Sequence, residues 1–326
     1  MALRPGISLS QGATIGIIGG GQLGRMTALA AADLGFRAHV YCPDRDAPAA
    51  QVASRSTIAA YDDNASLTAF GRSVDVITCE FENIPAASLQ LLGSLAPVHP
   101  GAGVLQTAQD RHLEKNFARS CGCATAEWRC IDAESDIAPA LTGLGIPVTA
   151  GGGIPGSGAQ AILKTRRLGY DGKGQTRIAN LVEASDAFRR FGGVPCILES
   201  FVQFKLEISV IVARGQDGAI AVYDPVENRH AHHILARTIV PAPISTATAR
   251  TACGIATAMA ERLSLTGLLA VEMFVTSDQR VLVNEIAPRP HNSGHWSIEA
   301  AATSQFEQLV RAICGLPRRG ALQHSR

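Results

Sequence analysis

The stretch TIGIIGGGQLG, residues 14–24, decides how the chain begins to fold. Thr14 to Ile18 is a short apolar run of the kind that forms a buried strand, Gly19 to Gly24 is a glycine turn, and Arg25 to Leu34 is helical up to the stop at Gly35. A second strand is expected at Ala38 to Tyr41 and a later one within Val74 to Cys79, just before Glu80-Phe81-Glu82. Strand and helix in alternation predict an α/β unit with a parallel sheet and crossover helices. The turn has the spacing Gly19-x-Gly21-x-x-Gly24, and Asp44 lies twenty residues beyond Gly24, which by spacing meets the dinucleotide fingerprint. Three readings stay open at this point: a nicotinamide or flavin site, a contact to another phosphate or substrate, and a turn that needs glycine for close packing alone.

This first unit is expected to span 1–107. Beyond it AQDRHLEKNFARS, residues 108–120, is compatible with a helix, and the pattern then shifts to short strands with glycine-rich turns. Strands are predicted over Ala161 to Lys164, Cys196 to Val202, Glu207 to Ala213, Leu268 to Val275 and Val281 to Ile286, with helices over Thr246 to Leu263 and Ser304 to Cys314. That describes a mixed, largely antiparallel second unit, 108–317, followed by a short tail, 318–326. The glycine-rich TAGGGIPGSGA, residues 149–159, supports neither a packed helix nor a strand and reads as a surface insertion.

The 326 residues, 46% of them hydrophobic, are enough for two domains with their own cores. Charged residues make up 17%, and 29 basic against 28 acidic side chains provide no basic excess for a nucleic-acid or membrane partner, so neither is expected. Eight cysteines in mostly apolar surroundings are too sparse for a disulfide scaffold and are read as reduced thiols. Cys121-x-Cys123 has no second Cys/His pair at zinc spacing. The uncharged run from Pro5 to Leu23 ends in the glycine turn without a small-residue cleavage site, so a cytoplasmic protein is expected.

The later strands carry the chemistry. GLLAVEMFV and RVLVNEIAP are joined by Thr276 to Arg280, and a turn centred between Asp278 and Gln279 sets Glu272 directly opposite Glu285. Like charges facing each other on apolar strands call for a protonated acid or a cation between them. Oxygen donors from two strands suit magnesium that also holds phosphate oxygens, with Asn284 and Asn292 available for further contacts. A solvated polar face is the alternative, against which the flanking Ala270, Val271, Val283 and Ile286 argue for burial.

Lys164 ends a strand and precedes Gly169-Tyr170-Asp171-Gly172-Lys173-Gly174-Gln175, where free backbone amides and two lysines can meet a phosphate. Gly174 stands where a Walker loop needs Ser or Thr, so this is a different phosphate loop or an ordinary flexible connection. Ala287 to Trp296 places Arg289, His291, Asn292, Ser293 and His295 in a proline-stiffened loop beside Glu285. Anion recognition by Arg289 and His291 fits it better than zinc, which needs three or four converging ligands. His230, His232 and His233 read as exposed loop, with at most one functional member.

Taken together, GGGQLGRM, CEFENIP, AQDRHLEK, ILKTRRLGYDGKGQ, EISVIVARG, LLAVEMFV and VNEIAPRPHNSGHW closely resemble the ATP-grasp 5-(carboxyamino)imidazole ribonucleotide synthases of purine biosynthesis, over about Gly16 to Pro317. The resemblance implies a Rossmann-like pre-ATP-grasp domain followed by an ATP-grasp domain with a central lid. It implies that Arg111 and Lys164 contact nucleotide phosphates and that Tyr170, Asp171, Gly172, Lys173, Gly174 and Gln175 cover them. Glu199, Ser200, Phe201 and Val202 would read adenine through their backbone, Glu207 would bind ribose, and His230 and Asn284 would lie on the nucleotide side. Glu272 and Glu285 match the magnesium carboxylates. Gln22, Leu23, Glu80 and Asn292 would face the ribonucleotide, with Tyr170, Arg289 and His291 as catalytic residues.

The implied cofactors are ATP and magnesium, and the implied substrates are aminoimidazole ribonucleotide and bicarbonate, joined through carboxyphosphate; a homodimer is expected. The family continues past Cys314-Gly315-Leu316-Pro317 into a small C-terminal subdomain that supplies cations to the ribonucleotide phosphate, so weak carboxylation is expected of a chain with nine further residues. A nucleotide-binding remnant and a NAD-dependent oxidoreductase are the alternatives.

Overall fold

The computed structural model describes residues 8–148, 160–169, 172–232 and 234–318; the glycine-rich stretch 149–159, Tyr170, Asp171, His233 and the tail from Arg319 lie outside them. Strands β1 (Thr14–Ile18), β2 (Arg37–Cys42), β3 (Arg55–Ile58) and β4 (Val76–Cys79) form a parallel sheet in the order β3-β2-β1-β4. Ile15, Ile17, Ile18, Val40 and Tyr41 are fully buried, as an unbroken apolar strand covered on both faces must be. Helix α1 (Gln22–Asp33) crosses from β1 to β2 and α2 (Asn64–Gly71) from β3 to β4, followed by α3 (Ala86–Gly93) and α4 (Ala102–Gln109).

The segment 108–120 is not one helix. Asp110 has extended backbone (φ −126°, ψ 114°), so α4 stops at Gln109 and α5 (Arg111–Ser120) starts anew, with the Asp110 carboxylate accepting the His112 N–H at 3.0 Å as its cap. A smaller antiparallel sheet follows: β5 (Trp128–Ile131), β6 (Ala161–Thr165), β7 (Gln175–Ile178) and β8 (Cys196–Ser200), in the order β5-β8-β6-β7. Helices α6 (Ile137–Gly143) and α7 (Leu181–Arg190) pack on it through Ile137, Leu141, Ala184 and Phe188. β8 ends at Ser200, two residues short of the expected Val202, because its partner β6 starts at Ala161 opposite Ser200.

The third sheet is antiparallel: β9 (Leu206–Arg214), β10 (Ile220–Val222), β11 (Val226–Ala231), β12 (Ile234–Ile239), β13 (Gly267–Val275) and β14 (Val281–Ala287) run in the order β12-β11-β9-β13-β14, with β10 paired to β9. Alternation along β9 assigns its two faces. Ile208, Val210 and Val212 share a core with α8 (Thr246–Arg262), whereas Ile211 and Ala213 face α10 (Gln305–Ile313), which follows the short α9 (Ser297–Ala300). Helix α10 also packs on α1, so Leu309, Val310 and Ile313 lie in one core with Ala28 and Ala31, and burying each of the three contributes about 1.5–3 kcal/mol. On the same β9 face as Ile211, Glu207 and Ser209 replace apolar side chains, and the cavity opens there.

Candidate active site

The cavity has a volume of about 320 Å³ and lies between the polar part of the large sheet, the start of α5 and the loop after β6. Its floor depends on an irregularity in the β13–β14 hairpin. Near the turn Val275 faces Val281 and Phe274 faces Leu282, so the hairpin is centred on Asp278, with Gln279 in the left-handed region (φ 65°), and not between Asp278 and Gln279. Uninterrupted, that register would set Glu272 opposite Asn284. A β-bulge at Asn284 shifts it by one residue, and Glu272 does face Glu285. The bulge also brings two consecutive side chains, Asn284 and Glu285, to the same cavity.

The carboxylate pair has hydrogen-bonding partners of its own, a guanidinium and an imidazole, which corrects the expectation that only a protonated acid or a bound cation can compensate it. Arg111 Nη1 lies 2.9 Å from Glu285 Oε2, and His291 Nε2 lies 3.0 Å from Glu272 Oε1. Burial pushes Glu285 up, but Arg111 and Lys164 outweigh it and hold its carboxyl at about 2.

Lys164 is buried, with Nζ 3.0 Å from Glu199 Oε2 and 3.5 Å from Asn284 Oδ1. Burial pushes its ammonium down, and Glu199 opposes that shift. Lys115 approaches the same Glu199 oxygen at 3.3 Å and donates to the Asn284 carbonyl at 3.2 Å. Burial raises Glu199 as well, but Lys115, Lys164 and Arg111 prevail and hold it at about 2. Glu199 therefore contributes a buried carboxylate to the lysine pair, in addition to any backbone role. One position earlier in α5 than Lys115, Glu114 Oε1 accepts the Ile286 N–H at 2.5 Å. Glu114 and Lys115 thus satisfy the open edge of β14 on either side of Glu285. Burial, with Glu285 adding to it and Arg111 opposing, raises Glu114 to about 8.

Gly172, Lys173 and Gln175 line the cavity, while Gly174 (φ 70°) turns against Thr165, whose Oγ1 a Cβ there would approach to 2.5 Å. The base of this loop is tied to α5: Arg166 Nη2 lies 2.8 Å from Asp110 Oδ2, its Nε 3.2 Å from Oδ1, and the Arg111 N–H donates to the Arg166 carbonyl at 3.0 Å. Glu207 and His230 line the far wall with Oε2 and Nδ1 2.5 Å apart, and that hydrogen bond is the main reason the imidazole is raised. His230 lies within strand β11, one residue before its end, and is not loop, whereas His232 (φ 51°) lies in the turn that follows. Arg289, His291 and Asn292 also line the cavity, and Arg289 Nε pairs with Glu82 Oε1 at 2.7 Å. Glu199, Ser200, Phe201 and Val202 do not line it.

The glycine turn is already filled. The Glu80 carboxylate accepts the N–H of Gly21 and, at 2.6 Å, that of Gly24, which are the amides a pyrophosphate would use. A Cβ at Gly21 or Gly24 would come to 2.9 and 3.0 Å from Glu80 oxygens. The glycines are there for this close approach, so the dinucleotide reading fails, and Asp44 merely closes its own turn by accepting the Asp46 N–H at 3.0 Å. Gln22, exposed, and Leu23, half-buried, start α1 next to Glu80 and outside the cavity. The Glu82–Arg289 ion pair connects that side to the cavity.

Two family models match the chain, a ribonucleotide synthetase preATP-grasp domain over 12–109 and an ATP-grasp domain over 116–306. The N5-carboxyaminoimidazole ribonucleotide synthase of Brucella melitensis is 47% identical over 320 residues, covering 98% of this chain and 85% of the relative. The chain belongs to the N5-carboxyaminoimidazole ribonucleotide synthase family. The Bacillus subtilis synthase is 42% identical over 94% of this chain and 77% of its own. Among solved structures, an N5-carboxyaminoimidazole ribonucleotide synthetase in complex with ADP superimposes with a TM-score of 0.90 at 40% identity, over 97% of this chain and 81% of that one. The Aspergillus clavatus synthase, solved with ADP and 5-aminoimidazole ribonucleotide, has a TM-score of 0.85 at 27% identity, over 95% of this chain and 79% of that one. Neither the oxidoreductase nor the remnant reading is favoured by these relatives.

Sequence reasoning missed Glu114, Lys115 and the Asp110–Arg166 tie. A signal existed: Arg111, Glu114 and Lys115 share one face of a helix by their spacing. Charged helical faces are ordinarily solvated, so the spacing alone does not reveal that this one is buried against β14.

Proposed function

We propose that this cavity carries out the ATP- and bicarbonate-dependent carboxylation of 5-aminoimidazole ribonucleotide, the reaction of the family, with the following residue roles. Arg111 and Lys164 hold the ATP phosphates beneath the loop that contains Gly172 to Gln175; Tyr170 and Asp171, outside the described residues, are assigned to the same loop by sequence. Glu207, with His230 orienting it, binds the ribose. The adenine side is assigned to Glu199, Ser200, Phe201 and Val202. Glu199 Oε1 is buried with no hydrogen-bond partner among the described residues, an acceptor that a nucleobase amino group would satisfy.

The donor set fits magnesium. Glu272 and Glu285 face each other with Asn284 beside them, and among the described residues no cluster of three or more His, Cys, Asp or Glu is placed to hold a metal unaided. Phosphate oxygens would complete the coordination, as is usual for this ion. Magnesium, when bound, supplies neutralisation of the phosphoryl charge.

A bicarbonate oxygen attacks the γ-phosphorus as its bond to the β,γ-bridging oxygen breaks, giving carboxyphosphate and ADP, and Lys164 with Arg111 stabilises the phosphoryl oxygens. Arg289 and His291, on the loop after β14, hold the carboxylate while the ribonucleotide amine captures it and phosphate leaves, and Tyr170 is assigned to the same step by sequence. Asn292, Glu80, Gln22 and Leu23 form the ribonucleotide side. The units 1–107 and 108–317 are assigned as the pre-ATP-grasp and ATP-grasp domains, and the protein as a cytoplasmic homodimer, a state that sedimentation measures directly.

The observation that carries this reading is the Glu272–Glu285 pair facing Arg111 and Lys164 in one cavity. Phosphate release from magnesium-ATP, with and without bicarbonate and the ribonucleotide, tests it together with mass identification of the carboxylated product. Release that ignores both co-substrates would overturn it.

A further inference from the structure

The face of β9 that floors the cavity contains a serine, Ser209, between Glu207 and the apolar Ile211. Ser209 is fully buried between Ile208 and Val210 and stands opposite Glu272 of β13. A buried hydroxyl without partners costs stability, so its hydrogen bonds identify what it does. Ser209 accepts from Asn228 Nδ2 at 3.0 Å and donates to Ser293 Oγ at 2.7 Å. Ser293 Oγ lies 2.8 Å from His291 Nδ1, and Asn228 Oδ1 accepts from Thr238 Oγ1 at 3.4 Å. Ser293 and Asn228 are buried as well.

The direction of this chain is set at its end. The backbone N–H of Ser293 points at His291 Nδ1 at 3.3 Å, and an amide can only donate. Nδ1 therefore carries the lone pair, and the ring proton sits on Nε2, 3.0 Å from Glu272 Oε1. With Nδ1 as acceptor, Ser293 donates its hydroxyl proton to it, Ser209 donates to Ser293, and Asn228 donates to Ser209; each link agrees with the next. The backbone of the same histidine is clamped separately: Gln305, fully buried at the start of α10, accepts the His291 N–H at 2.9 Å and donates to its carbonyl at 2.8 Å.

We propose that Asn228, Ser209 and Ser293 are positioning residues whose directed hydrogen-bond chain holds His291 in the Nε2–H tautomer, so that it presents an N–H donor to the carboxylate side of the cavity. The role of His291 itself rests on the function proposed above, but its tautomer does not. A chain of this kind aligns a side chain before substrate arrives, in the way that partners behind a functional histidine generally do.

Long-range ¹H–¹⁵N correlation spectra of the ligand-free full chain with ¹⁵N-labelled histidine test this, the His291 signal being assigned by its loss in His291→Gln. The wild type is expected to show the Nε2–H pattern. Ser293→Ala and Ser209→Ala should give a mixture of tautomers and lower kcat by about tenfold, the worth of one hydrogen bond, with KM for ATP little changed, while Ser293→Thr, which keeps the hydroxyl, should restore the pattern. Asn228→Asp replaces the donor by an acceptor and should reverse the chain, moving His291 toward Nδ1–H. A wild-type Nδ1–H or averaged signal would overturn the proposal, as would an unchanged tautomer in folded Ser209→Ala and Asn228→Asp. Because the wild-type spectrum needs neither substrate nor turnover, its outcome is separate from that of the product assay.

Discussion

Glu80 Oε2 lies 2.6 Å from the amide nitrogen of Gly24, so the first turn of α1 receives its negative charge from within the chain. A glycine pattern of dinucleotide type is thereby used to seat a carboxylate, and the N-terminal charge of the helix is satisfied without a ligand.

Gly24→Ala should destabilise the fold by about 1–3 kcal/mol, because its Cβ would meet Glu80 Oε2 at 3.0 Å and the Gly19 carbonyl at 3.1 Å. Glu80→Ala opens the turn but should confer no NAD(H) affinity, and calorimetry checks this. Tight NAD(H) binding by either the wild type or Glu80→Ala would contradict the reading of the turn.

Glu285→Gln should abolish magnesium-dependent phosphate release. Its effect on the metal-free fold is the less obvious part: relief of the like-charge pair would favour stability, but Arg111 loses its 2.9 Å partner while half-enclosed. An unpaired guanidinium outweighs a relieved repulsion that His291 already moderates, so the melting temperature should fall. Thermal scans in a chelator measure the sign.

Asp110→Asn should raise KM for ATP by about three- to tenfold while leaving the melting temperature nearly unchanged, since asparagine caps α5 as well as aspartate does but weakens the charged fork to Arg166. A normal KM for ATP in the folded variant would mean that the glycine loop needs no anchor at α5.

Stability should pass through a maximum near pH 4.5 as far as Glu114, Glu199 and Glu285 govern it. Glu199 and Glu285, held at about 2 against a usual 4.5, contribute stability that is lost as pH falls from 4.5 toward 2. Glu114, raised to about 8, binds its proton more tightly in the folded chain, so stability declines as pH rises from 4.5 to 8. Glu114→Gln keeps the acceptor for the Ile286 N–H and should flatten that decline. Melting temperatures across the range provide the comparison, and a slope identical to that of the wild type would remove the assignment.

Much of this molecule was legible in one dimension. Strands β1, β2, β9, β13 and β14 follow from apolar periodicity, because a strand buried on one or both faces must show it locally. Family motifs located Arg111, Lys164, Glu207, His230, Glu272 and Glu285, and all six line one cavity. What depends on approach between distant segments was not legible. Glu80 filling the glycine turn, the Glu199 oxygen shared by Lys115 and Lys164, the Asp110–Arg166 tie and the Ser209–Ser293 link each join residues that no local pattern pairs. The hairpin shows the division within twenty residues. The Glu272–Glu285 pair was expected from the turn, yet it exists because Asn284 bulges, and Glu114 and Lys115 of a separate helix hold both sides of that bulge. Local periodicity is set by which face a side chain must bury, whereas register at an irregular edge is set by whatever packs against it.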